Sequence, residues 1–488
     1  MSKNIITNNK QVTHMGIFDL IFSKLKTSIG YQQSFEELVQ AGNVSAALAL
    51  MSNDELQQKA AIKEYNLETH PIMQRADKAI FDKEGHFKGW VKRWKLPLSY
   101  AKYINEIAVV FIYGRPVQWV QSSTGTDDAY KCFTDFMEDK HFDSKIRQAK
   151  RLAGSETKSA LLFHTYQNKE GKADCLIKVL AKSLGDDIYY IKDQYDRLVY
   201  FARGYWLREK GSKSTYYVDI YTDNTIYHCK RGSIGWEVEQ EVNFIGKKPV
   251  ILFEQEKEWE GGTPLMERQE YIKSRTADVN DYMADPALVA TADVVQGLPD
   301  KDTENKLYVL SEKGKLEYLT PDSASELKKQ EMEDNEKHIF RETFTPNIDF
   351  EVLRNLTNVS GKALQQMMLL ATIKANKRKE THDEYLTRTI SLVISILSNV
   401  TNIELHAQLE QLVVKHEYQE PFGEDITEAI ANAVKEKNAG GMSTETLIEL
   451  NPLIRDKQRE KERIAAEEEK KREEEERRAQ SVFQTAYE

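Results

Sequence analysis

The sequence predicts an α+β fold, and three observations carry that prediction. From Ser159 to Phe253 apolar residues recur at every second position, in seven short runs separated by turn residues, as antiparallel strands require. Before that region, and again from Ser360 on, the apolar period is helical. Between the two, Gly261–Glu342 is organised as a helix, a small β insert and a returning helix, which is a hairpin arm with a β tip.

The arm is the most informative stretch. Pro264 suits a helix's first turn, where its missing N–H costs nothing, and Leu265, Ile272, Val279 and Met283 repeat at helical spacing. After Pro286 the period falls to two. Tyr308–Leu310 and Lys315–Leu319 flank Ser311-Glu312-Lys313-Gly314, a hairpin signal. The returning helix, Asp322–Glu342, has few large apolar residues (Leu327, Met332, Ile339, Phe340) among many charges. Such a helix is an exposed connector or one that bridges neighbours.

With 488 residues, 40% hydrophobic and 30% charged, the chain has room for two to four domains with real cores and a highly charged surface. A net charge of −10 argues against a protein that coats nucleic acid through a basic surface, though not against one that lets DNA pass. Cys132, Cys175 and Cys229 lie far apart and are odd in number, so neither a zinc site nor a disulfide framework is expected. The start carries no signal-peptide pattern, and the longest uncharged apolar segment, Thr389–Ile403, is shorter than the ~20 residues of a membrane span. A cytoplasmic-type protein without membrane association is expected.

Taken in order, residues 1–33 carry few structural signals and read as a peripheral, partly disordered arm. Ser34–Asn66 is helical, with Ser52-Asn53-Asp54 as a break whose polar side chains can cap the next helix. Leu98–Ile112 is a long apolar helix stopped by Gly114-Arg115-Pro116, and Asp127–Ala153 is helical with Phe133, Phe136, Met137 and Ile146 toward the core. Strands are expected at Ser159–Thr165, Cys175–Val179, Ile188–Ile191, Leu198–Leu207, Thr215–Tyr221, Thr225–Lys230 and Trp236–Val242. Their dense tyrosines fit cross-strand packing better than a surface for stacked single-stranded bases. Leu364, Met367, Met368, Ala371 and Ala375 form a core stripe, and Tyr385–Leu405 is apolar nearly all round and therefore buried. Asn438–Gly441 is a turn, Ser443 leads a short helix, and Arg455–Ala479 is a charge run that can be a solvated helix or a disordered tail, but not a core.

No phosphate-binding Gly-x-x-x-x-Gly-Lys-Ser/Thr loop is present, nor a local Ser/His/Asp nucleophile pattern. His382-Asp383-Glu384 are adjacent on a helix and do not face one another. Asp278, Asp281 and Asp285 share one helix face and could hold Mg²⁺ for a DNA-processing enzyme; a solvated acidic face is the ordinary alternative. No metal, cofactor or enzymatic activity is expected.

Several weak motifs in a fixed order go further. Ala108–Gln118 (with Tyr-Gly-Arg-Pro), Lys248–Phe253, Gly262 at a helix start, the β insert, Thr345-Pro346-Asn347 and Asn358-Val359-Ser360-Gly361-Lys362-Ala363-Leu364 together resemble tailed-phage portal proteins of the siphophage type, over roughly Ala61 to Asn451. The resemblance implies a non-enzymatic ring, a dodecamer, at one capsid vertex, with a channel for packaging and ejecting double-stranded DNA. It implies a portal-like fold: residues 34–262 a helical and β wing, 263–283 and 322–342 a two-helix stem, 284–321 a small β-containing clip. Residues 343–360 would be the tunnel loop, 361–380 a tunnel-side helix and wing return, 381–454 a helical crown, and 455–488 a charged tail. Asn347, Asp349, Arg354, Asn355, Thr357 and Asn358 would face the channel, with Ser360, Gly361 and Lys362 starting the helix after it. Tyr308, Glu312, Lys313, Lys315 and Tyr318 would dock partners at the clip. The partners implied are further copies of the chain, the terminase large subunit, a head–tail connector or adaptor, and the major capsid and scaffolding proteins. The location implied is the virion, with host cytoplasm during assembly.

Overall fold

Strand alternation places large side chains on both faces of a five-stranded antiparallel sheet. Its strands are β6 (Asp186–Lys192), β7 (Leu198–Leu207), β8 (Thr215–Tyr221), β9 (Thr225–Arg231) and β10 (Trp236–Val242), side by side in the order β10-β9-β8-β7-β6. In this computed structural model the described residues are 29–52, 54–82, 84–208, 214–284, 288–290, 316–318, 325–348, 366, 368–419, 433–451 and short helical pieces within 460–472. On one sheet face Tyr200, Val218, Ile220, Tyr227 and Cys229 are buried under α1 (Ile29–Gln40) and α2 (Val44–Leu50). Phe35 of α1 stacks on Tyr200 with ring centroids 4.1 Å apart, worth ~1 kcal/mol beyond its burial. On the other face Ile188, Tyr190, Phe201 and Tyr221 meet Ala160, Leu162, Leu180, Val250 and Leu252. Those come from a three-stranded sheet, β11-β4-β5, with β4 at Lys158–Gln167, β5 at Ala173–Leu180 and β11 at Val250–Glu254. The tyrosines are thus spent largely in the core: Tyr200, Tyr216, Tyr221 and Tyr227 are buried.

The helical segments match their patterns with two differences. Asp127–Ala153 is two helices, α5 (Asp127–Asp139) and α6 (Phe142–Glu156), parted where His141 adopts φ 53°. The break before α3 (Glu55–Tyr65) is present, but Asp54 makes no side-chain cap; its carboxylate instead meets the Lys158 ammonium and the Tyr190 hydroxyl. The apolar helix before Gly114 is α4 (Tyr100–Tyr113), which buries Ile104, Ala108, Phe111 and Ile112 and packs on α6. Arg151 of α6 and Glu106 of α4 add a two-bond ion pair at 2.6 and 3.0 Å.

Two further β pairings escape the sequence patterns. β1 (Lys78–Phe81) and β2 (Phe87–Val91) form an isolated two-stranded ribbon, and β3 (Gln118–Gln121) pairs with a late strand at Val414–Glu417. The arm helices are α7 (Thr263–Ala284) and α8 (Ser325–Glu342), packed on each other. Beyond them Leu288–Ala290 and Leu316–Tyr318 pair antiparallel, closing the ends of the insert. α9 (Leu369–Ile396) is one continuous helix through residue 380 and lies against α4 and β11, with a π-helical turn at Leu397–Thr401. Among the described residues no single helix is long and apolar enough to cross a membrane.

Residues up to 348 and 368–419 form one unit; 349–367 and 420–488 form a second. In the second, α10 (Thr444–Leu450) starts where the Ser443 hydroxyl accepts from the Thr446 N–H, as the sequence predicts, after a turn at Gly440 with φ +78°.

Candidate functional site at the base of the helical arm

The chain enters α7 through Gln255–Gly262, a segment rich in charge and yet largely buried. Trp259 is 1% exposed and packs with Ile104, Met266 and Ile339, so the feet of both arm helices share one apolar cluster. An indole N–H in such a place needs an acceptor. Glu64 of α3 provides it at 2.8 Å, and also receives the Lys257 ammonium at 2.6 Å and the Thr263 hydroxyl at 2.8 Å. Burial raises the Glu64 carboxyl, but these donors outweigh it and its pKa lies below the ordinary carboxylate value. Gly262 is closely packed: a Cβ there would come within 3.1 Å of Thr343 Cγ2, on the returning foot, and 3.0 Å of Met266 Cε.

One residue back, Glu258 is a fully buried carboxylate surrounded by cations. Lys150 of α6 pairs with it directly, Lys374 of α9 lies at 3.1 Å and Arg378 of α9 at 3.4 Å. Burial pushes the Glu258 carboxyl up, yet the three cations hold it far below the ordinary range. Burial also brings the Lys150 ammonium down to about 8, against the pull of Glu258. Lys374 does more than neutralise charge. Its ammonium donates to the carbonyl oxygens of Glu258 at 2.7 Å and Thr343 at 3.0 Å, so a single side chain of α9 ties both feet of the arm.

Further out, one face of α7 holds the segment that supports the β1–β2 ribbon. Glu270 pairs with buried His70 at 2.6 Å and accepts the Leu98 N–H at 2.8 Å; the hydrogen bond His70 donates to Glu270 raises the His70 pKa despite burial. Ser274 Oγ accepts the Leu96 N–H, Asp278 pairs with Arg75 at 2.6 Å and accepts the Trp94 N–H, and Asp281 accepts the Trp94 indole N–H. The candidate Mg²⁺ face is therefore spent on structure: Asp278 and Asp281 are each occupied by a donor of the ribbon's stalk, and Asp285 lies outside the described residues.

On the return, Arg268 of α7 meets Glu331 of α8 at 2.8 Å, and the Gln269 side chain donates to the Met332 carbonyl. α8 ends with Phe344 at φ 50°, a left-handed position usually held by glycine, while the Thr345 N–H closes back on the Phe340 carbonyl at 2.8 Å. The Tyr103 hydroxyl then fixes the loop's start, donating to Pro346 O and accepting from the Ile348 N–H, both at 2.9 Å. Asn347 is exposed on this anchored start. Asp349, Arg354, Asn355, Thr357, Asn358, Ser360, Gly361 and Lys362 lie outside the described residues, as do Tyr308, Glu312, Lys313 and Lys315; the backbone of Tyr318 pairs with Leu288.

Two further polar clusters are committed to structure in the same way. His382, buried with its pKa depressed by desolvation, shares a hydrogen bond with the Tyr113 hydroxyl at 2.8 Å, and Asp383 pairs with His416 at 3.2 Å. Asp82, Glu84 and His86 cluster exposed at the ribbon's tip, where Asp82 Oδ1 accepts the backbone N–H groups of Glu84 and His86, as a turn carboxylate does. The sequence patterns located the arm but missed the Glu258 and Glu64 joints.

None of the curated proteins matches the chain. Among solved structures, a chain from the neck of a native GTA particle computed with C12 symmetry superposes with a TM-score of 0.39 at 9% identity, covering 72% of this chain and 88% of that one. At that level the likeness carries no functional weight. The model of the phage portal proteins of the SPP1 Gp6-like type matches residues 33–474, nearly the whole length. That family is structural and not enzymatic. By that match the chain belongs to the SPP1 Gp6-like family of phage portal proteins, and its function is that of a portal at a phage capsid vertex.

Proposed function

We propose that this chain is one subunit of a closed dodecameric ring through which double-stranded DNA is packaged and ejected. Residues 34–262 are the wing, 263–283 and 322–342 the stem, 284–321 the clip, 343–360 the tunnel loop, 361–380 the tunnel-side helix and wing return, 381–454 the crown and 455–488 a charged tail. The ring docks the terminase large subunit and a head–tail connector at the clip, through Tyr308, Glu312, Lys313, Lys315 and Tyr318, and assembles with capsid and scaffolding proteins in the host cytoplasm.

The observation that carries this reading is the arm. Two helices of low apolar content leave the body together, are tied at their feet by Lys374, and return into a loop whose start is anchored by Tyr103. A polar helical pair of this kind suits a wet channel lined by repeated copies. The loop 344–359 has only Asp349, Glu351 and Arg354 as charges, beside Asn347, Asn355, Asn358 and Thr357; Thr345 is buried at its start. Such a surface offers short neutral hydrogen bonds and no deep electrostatic well to passing phosphates.

The test is Asn355→Lys combined with Asn358→Lys. Rings should remain intact while DNA passage slows or stalls, most at low salt. Unchanged packaging yield and rate at low salt would remove this loop from the channel.

A further inference from the structure

Helix α7 carries its two neighbours on opposite sides. Toward the ribbon's stalk it presents Glu270, Ser274, Asp278 and Asp281; toward α8 it presents Arg268 and Gln269. At about 100° per residue these two sets lie roughly half a turn apart. Stalk, α7 and α8 therefore stand in a row, with the ribbon's side at one end and the outer face of α8 at the other.

Both ends of that row are unpartnered in a single copy. On the ribbon Phe81, Phe87 and Trp90 are 58, 54 and 66% exposed and lie in contact, with ring centroids 6.1 and 5.4 Å apart. A lone two-stranded ribbon is marginal in water, and a contiguous exposed aromatic patch marks an interaction site. Among the described residues, Lys78, Lys88, Lys92 and Lys95 beside it make no ion pair. At the other end α8 exposes Leu327 (68%) together with the carboxylates of Glu326, Glu333 and Asp334. Lys329 and Lys337 approach Glu333 and Asp334 only at 4.0 and 3.6 Å on exposed side chains, too loosely to cancel them.

We infer that the aromatic face of the ribbon docks on the outer face of α8 in a second copy of the chain. The inference rests on the ring proposed above. It supplies what a ring needs, two unlike and complementary patches on each subunit that meet head to tail and repeat until the circle closes. Aromatic rings enter beside Leu327, and the ribbon's lysines meet carboxylates that are only loosely paired within α8. The stalk's hydrogen bonds to α7 tether the ribbon beside that helix.

The experiment uses the full chain with Cys132→Ser, Trp90→Cys and Leu327→Cys; Cys175 and Cys229 are buried and stay unreactive. A short bismaleimide should link position 90 of one copy to position 327 of the next and give a ladder of covalent oligomers on a denaturing gel. A mixture of the two single-cysteine chains should stop at dimers. Trp90→Ser, at an exposed position, should leave the melting temperature of the subunit unchanged and raise the concentration at which rings dissociate by about tenfold or more. Rings that form with no ladder and no effect of Trp90→Ser would overturn this contact alone and assign the ribbon to another partner. A chain that forms no ring before any substitution would overturn the ring reading as well.

Discussion

Lys150 and Glu258 form an ion pair in which neither side chain touches solvent. Two residues 108 apart in sequence, one on α6 and one in the approach to α7, are thereby locked at the root of the arm, and Lys374 and Arg378 bring α9 to the same carboxylate. Removing one member of such a group leaves uncompensated buried charge. Glu258→Gln, which strands three cations, should therefore cost about 3–5 kcal/mol, and Lys150→Met less, because Lys374 and Arg378 still compensate the carboxylate. The double variant should lose less than the sum, because each substitution removes the other's reason for damage. Denaturant melts of the four chains check this; additive losses would mean that the pair is not coupled.

The same joint has a definite acid response. Glu258 is depressed in the folded chain, so its contribution is present above the ordinary carboxylate value and is lost only as pH falls through its far lower folded value. Mild acid should loosen exposed carboxylate pairs first and leave this joint closed.

The five-stranded sheet carries the opposite case. His228 on β9 bridges Asp219 on β8 at 2.7 Å and Glu241 on β10 at 3.0 Å. The Asp219 hydrogen bond, supported by Glu241 and opposed by burial, raises its pKa to about 9. A raised folded pKa means stability that is full below 6.5 and lost as pH rises through about 9. His228→Asn should flatten the fall in melting temperature across that window; an unchanged slope would place the titration elsewhere. The site is partly exposed, so the effect is moderate.

Phe344 sits in the left-handed region where α8 ends, with half of its ring in solvent. Phe344→Gly should stabilise the subunit by up to about 1 kcal/mol, since a β-carbon in that conformation is strained. A clear loss of stability would show that the phenyl ring's packing outweighs the strain.

Much of this fold was legible because its local signals agree with its tertiary ones. The strands of the large sheet are marked by β-branched and aromatic residues bounded by turn residues, and α4 ends at Gly114 where glycine and proline require it. The ribbon was not legible: Phe81, Phe87 and Trp90 lie exposed, so no burial pattern marks them, and it is held through backbone N–H groups of Trp94, Leu96 and Leu98. The buried joint was also invisible, because Lys150, Glu258, Lys374 and Arg378 look like surface charges until three distant segments bring them together. The break at His141 depends on one left-handed residue that no spacing announces.

Native mass measurement with negative-stain imaging of the purified protein shows whether copies of this chain close into a ring around a channel. Closed rings with a central hole are expected, at a fixed multiple of the 56.4 kDa subunit mass. A monodisperse, stably folded monomer across a wide concentration range would contradict ring closure.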